Sequence, residues 1–109
     1  MATTATTKKA PTTNGKPDQR FREIQRAANL LKQFSDATRL RVILMLSEGE
    51  RHVGGMSEEL NQTQPAVSHH LGLLRHGGII APRRRGKNNF YSLTDKGEDL
   101  AKIVKGVIV

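Results

Sequence analysis

The sequence predicts a mainly α (α+β) domain of about five helices with one two-stranded β-hairpin. Three observations carry that prediction. Apolar residues recur at helical spacing in four segments and a shorter fifth, two β-type runs flank the turn sequence Arg85-Gly86-Lys87-Asn88, and glycines or N-capping residues separate the pieces.

At 109 residues the chain can build one small domain around one core. Residues 1–18 are rich in Thr, Ala and Lys, with two prolines and no large apolar side chain after Met1. Such a segment buries too little surface to offset its ordering entropy, so it is expected to be a disordered basic tail, with residues 19–109 folded. The first helix is expected from near Arg20 to near Phe34, where Phe21, Ile24, Ala28 and Leu31 repeat at helical spacing. Ser35 or Asp36 caps a second helix, Ala37 to about Ser47. Its Leu40, Val42, Ile43, Leu44, Met45 and Leu46 make most of the circumference apolar, which marks the central core helix, and Gly49 ends it.

A third, short helix is expected around Met56 to Leu60, because Gly54 and Gly55 form helix poorly. Asn61, Gln62 and Thr63 then leave the tight connection of a helix-turn-helix, with Asn61 able to adopt a left-handed backbone. Thr63 is a good N-cap and Pro65 falls in the first turn, so a fourth helix should run to about His76, before Gly77 and Gly78. Ile79–Arg84 and Asn89–Leu93 read as the hairpin strands. Pro82 cannot donate to a ladder, which suits a ribbon with exposed edges. Thr94 caps a closing helix whose Leu100, Ile103, Val104 and Val107 form an apolar stripe larger than a domain end needs. Together with Ile24, Ala28 and Leu31 of the first helix, that stripe predicts a homodimer, the alternative being that the stripe packs on the chain's own core.

The fourth helix points to the partner. Val67, Leu71 and Leu74 face inward by spacing, leaving Gln64, Pro65, Ser68, His69 and Gly72 outward. That surface is polar, short and nearly uncharged, so its amide, hydroxyl and imidazole groups could meet base edges in a major groove. Gln62 and Thr63 at the helix entry are grouped with it. Arg83, Arg84, Arg85 and Lys87 follow with no acidic residue among them, suited to phosphates. A formal charge of +8, from 18 Lys and Arg against 10 Asp and Glu, agrees with double-stranded DNA as partner, although charge alone conveys no selectivity.

Other classes are disfavoured. The chain has no cysteine, which removes disulfides, thiolate metal sites and cysteine nucleophiles. No apolar run approaches the roughly 20 residues of a membrane span, and the N-terminus lacks the apolar block of a secretory signal, so a cytoplasmic location is expected. Ser68 and His69 are adjacent and diverge on a helix, with no third orienting group, so no small-molecule substrate or enzymatic chemistry is expected.

The complete pattern is a winged helix-turn-helix. From Phe34 to Leu93 the segments FSDATRLRVILML, QPAVSHHLGLLRHGGII and RRRGKNNFYSL resemble the ArsR/SmtB family of bacterial repressors. The resemblance implies a dimeric transcription factor that binds a two-fold symmetric operator, answers to an effector and uses its first and last helices as the dimer interface. It implies that Gln64, Ser68 and His69 read bases while Arg83, Arg84, Arg85 and Lys87 contact the backbone or minor groove. Many members sense metals through cysteines at the start of the third helix. Here His52 stands at the first ligand position and Gly54 at the second, and a single imidazole cannot hold a transition metal in a specific geometry. No metal ligand set is therefore assigned, and nickel or zinc sensing through His52 with ligands that the sequence does not identify, within the chain or across a dimer, stays open. Asp95, Glu98 and Asp99 read more simply as complements to the N-terminal dipole of the closing helix. His69 suits a DNA contact, His70 borders the apolar stripe as a packed or hydrogen-bonded residue, and His76 lies at the helix end. A nonspecific architectural DNA binder or a winged-helix interaction module is the competing reading.

Overall fold

The computed structural model describes residues 17–108, and the expected tail falls almost wholly outside them. The described chain contains five helices and three strands in the order α1 (Pro17–Gln33), α2 (Ala37–Glu48), β1 (Arg51–His52), α3 (Val53–Leu60), α4 (Gln64–His76), β2 (Ile80–Arg85), β3 (Asn88–Leu93) and α5 (Asp95–Val107). It divides into two compact units, with the boundary between Lys32 and Gln33.

The described part of the first unit is α1 up to Lys32. It begins at Pro17 rather than near Arg20, since Pro lacks only an N–H that a first turn leaves unpaired and Asp18 complements the positive helix end. Phe21, Ile24, Ala28 and Leu31 are exposed along it.

In the second unit α2 is central, burying Val42, Ile43 and Leu46 and packing against α4, α5 and β3. Asp36 is its N-cap, accepting from the Arg39 N–H at 3.1 Å. Met56, Leu60, Val67, Leu71, Leu74, Ile79 and Ile80 complete the core. Burying side chains of this size contributes on the order of 1.5 to 3 kcal/mol each before entropy is counted.

The hairpin is longer and tighter than expected, with only Gly86 and Lys87 between strands paired from Ile80↔Leu93 to Arg85↔Asn88. Gly86 supplies the positive φ of 60°. The sheet also has a third strand: β1 pairs antiparallel with β3 through Arg51↔Tyr91 and His52↔Phe90, giving the order β1-β3-β2. Pro82 accordingly lies on an edge strand.

The third helix starts at Val53 and takes in both glycines. His52 caps it, Nδ1 accepting from the Gly55 N–H at 3.2 Å, and a Cβ on Gly55 would stand only 3.1 Å from that nitrogen. The cap therefore offsets the poor helix propensity of the glycines and favours one of them. In the closing helix, Leu100 and Val104 correct an expectation. Both are buried within the chain, where α5 packs on α2 and β3, while Ile103 and Val107 stay exposed. One side of the stripe serves the chain's own core, and the other side is exposed.

Candidate nucleic-acid interface

Local geometry sets α4. Asn61 takes the left-handed backbone (φ 55°, ψ 46°) that lets the chain turn sharply after α3. Thr63 Oγ1 then accepts from the Ala66 N–H at 3.3 Å, and Pro65 lies in the first turn. With Val67, Leu71 and Leu74 buried, the opposite side of α4 is open: Thr63, Gln64, Pro65, Ser68, His69 and Gly72 are all exposed. Gln62 does not share that surface. It is half-buried, and its Nε2 donates to Thr38 Oγ1 at 3.0 Å, so it holds the turn to α2 rather than reaching outward.

The hairpin places its cations on two faces, as strand alternation requires. Arg83 and Arg85 share one face and one carboxylate: Glu50 Oε1 lies 2.9 Å from a terminal nitrogen of Arg83 and 3.5 Å from one of Arg85. Arg85 also lies over the Phe90 ring at 4.6 Å. Arg84, on the other face, meets no carboxylate among the described residues and donates Nε–H to the Gly86 carbonyl at 3.2 Å. Lys87 is exposed in the turn. The part played by Glu50 was not legible in the sequence, because 33 and 35 residues separate it from its partners.

A cleft of about 360 Å³ joins hairpin and reading helix, lined by His52, Gly54, Gln64, Lys87, Asn88 and Asn89. His52 stacks on Phe90, with ring centroids 5.3 Å apart and planes 11° from parallel. Its Nδ1 is engaged by the Gly55 N–H, and among the described residues no three His, Cys, Asp or Glu side chains converge as a metal site.

Behind α4, His70 is mostly enclosed, whereas His69 is exposed. His70 Nδ1 accepts from Arg39 Nε–H at 3.1 Å and lies 3.8 Å from Asp36 Oδ2. The Asp36 carboxyl is held below its ordinary value, first of all by the backbone N–H of Arg39.

Residues 36–81 match the profile of the bacterial regulatory protein, arsR family. The chain is 38% identical over 82 residues to an uncharacterized HTH-type transcriptional regulator of Methanocaldococcus jannaschii, an alignment spanning 73% of this chain and 92% of that one. This chain belongs to the ArsR family. Its fold is similar to that of the crystallised transcriptional repressor BigR from Xylella fastidiosa (TM-score 0.73, 34% identity, 84% of this chain and 92% of that one). It is equally similar to a homodimeric winged helix-turn-helix DNA-binding domain from Mycobacterium bovis (TM-score 0.73, 26% identity, 86% of this chain and 85% of that one). This ArsR-family member is thus a winged helix-turn-helix transcriptional regulator and not an enzyme. No helix among the described residues is long and apolar enough to cross a membrane.

Proposed function

We propose that the chain acts in the cytoplasm as a homodimeric repressor, setting α4 of each copy into successive major grooves of a two-fold symmetric operator. The observation that carries this reading is the exposed strip from Thr63 to Gly72 along α4, free of Asp, Glu, Lys and Arg, beside a hairpin rich in cations. Gln64, Ser68 and His69 are the base readers. Thr63 and Pro65 shape the helix entry, and Arg83, Arg84, Arg85 and Lys87 bind backbone phosphates or the minor groove. Support for the dimer comes from the exposed Phe21 and Ile24 on α1 and from Ile103, Val107 and Ile108 at the end of the chain. Large apolar side chains left exposed on each of these segments favour association.

Titration against the DNA upstream of its own gene tests the proposal. A selective dimer prefers its operator to random duplex by roughly 10³ or more at physiological salt, with half-sites about one helical turn apart. Equal affinity for all duplexes replaces this reading with that of an architectural binder. For nickel or zinc as effector, His52 supplies one imidazole per chain, so any site needs ligands from a second copy. Calorimetry decides that point: stoichiometric uptake with a change in operator affinity supports it, and no uptake ends it.

A further inference from the structure

The first turn of α2 grips the helix-turn-helix at two places. Thr38 receives the Gln62 amide at the turn, and Arg39 donates Nε–H to His70 Nδ1 on the inner side of α4. Arg39 is itself anchored by a 2.6 Å bond to the Gln33 carbonyl, so the guanidinium that meets His70 is held by a second bond to the main chain.

This geometry specifies a proton. A ring nitrogen that accepts from a guanidinium carries none, so His70 is neutral and protonated only on Nε2. A second proton on Nδ1 would set donor against donor and cation against cation at 3.1 Å. The nearest alternative acceptor is Asp36 Oδ2, at 3.8 Å too far for a hydrogen bond until side chain or helix moves. Among the described residues, three ionisable groups face the ring: Arg39 from α2, its N-cap Asp36, and His69 from the ring's own helix with ring centroids 6.0 Å apart. Protonated His70 therefore belongs with Asp36, and neutral His70 belongs with Arg39.

We propose that Arg39 and His70 are a positioning pair for the DNA-reading helix, and that protonation of His70 releases α4 from its operator-binding pose. Acidification supplies the proton that the Arg39 contact has no place for, so operator affinity drops as the pH falls. The inference rests on the operator-binding reading above.

The test compares wild-type protein with His70→Asn, whose amide oxygen can take the Nδ1 position and accept from Arg39 but cannot gain a proton. Operator affinity is measured from about pH 8 to about pH 5.5. His52, His69 and His76 are present in both proteins, so their titration cancels in the comparison. Wild type is expected to lose roughly tenfold or more, because each proton that must leave on binding changes log K by up to about one per pH unit. The variant is expected to stay within about twofold of wild type at pH 8 and to lose the extra fall. Equal pH slopes in the two proteins overturn the proposal. Selective binding by wild type at pH 8 is the separate check on operator recognition itself, and its failure would indict that reading instead. Should His70→Asn not fold, the ring tautomer of free wild type at pH 7.5, read by nitrogen–proton correlation NMR, decides: a bare Nδ1 supports the pair, and a proton on Nδ1 refutes it.

Discussion

Arg84→Ala isolates the electrostatic part of DNA binding, because the three hairpin arginines are not equivalent. Arg83 and Arg85 already share the Glu50 carboxylate at 2.9 and 3.5 Å, while Arg84 faces no carboxylate among the described residues. It therefore offers a whole charge to a phosphate. Each phosphate neutralised contributes about 0.9 to the slope of log K against log salt, so the substitution flattens the slope by about 0.9 per copy and about 1.8 per dimer. Between about 50 and 200 mM salt, wild type should lose roughly 12-fold more affinity than the variant dimer. Glu50→Gln is the mirror image. The hairpin gains one net positive charge per copy, so binding tightens at low salt and the slope steepens by a similar amount for operator and random duplex alike. Fluorescence anisotropy over four salt concentrations measures both. An Arg84→Ala protein with an unchanged slope but an altered base preference would refute the backbone role, and a Glu50→Gln protein that bound more weakly would show that Glu50 aligns the arginines rather than competing with phosphate.

Three further outcomes follow from named contacts. Gln64→Ala should relax preference at one base pair by about 1 to 3 kcal/mol in competition titrations; unchanged selectivity removes Gln64 from the reading set. Gly97→Ala would drive a methyl group into the Ile79 carbonyl oxygen, and leave it 3.1 Å from the Leu93 side chain, where Thr94 also bonds that carbonyl. A loss of about 1 to 3 kcal/mol in urea unfolding is expected, and an unshifted midpoint would contradict the packing. Ile103→Asp should dissociate the proposed dimer in sedimentation analysis while leaving the fold of the single chain intact by circular dichroism, since Ile103 is 60% exposed. A dimer that survives it places the interface elsewhere.

What the sequence by itself determined are the features built from neighbours three or four residues apart. The reading helix runs from Gln64 to His76 as its cap and glycines dictate, Asn61 takes its left-handed turn, and Thr94 caps the closing helix by accepting from the Gly97 N–H. The inner and outer sides of α4 followed from helical period, since Val67, Leu71 and Leu74 needed only a core to face. Residues far apart in the chain decided the rest. Strand β1 has two residues, too few to show alternation, and exists because Tyr91 and Phe90 arrive beside it. Gln62 looked outward until Thr38 supplied its partner, and Leu100 and Val104 looked free until α2 covered them. His70 could be read as a packed or hydrogen-bonded histidine, yet its partner Arg39 lies 31 residues earlier. Local patterns record which face of an element is apolar, but which distant side chain meets a polar group is known only when the elements pack, because that pairing depends on distance in space and leaves no period in the sequence.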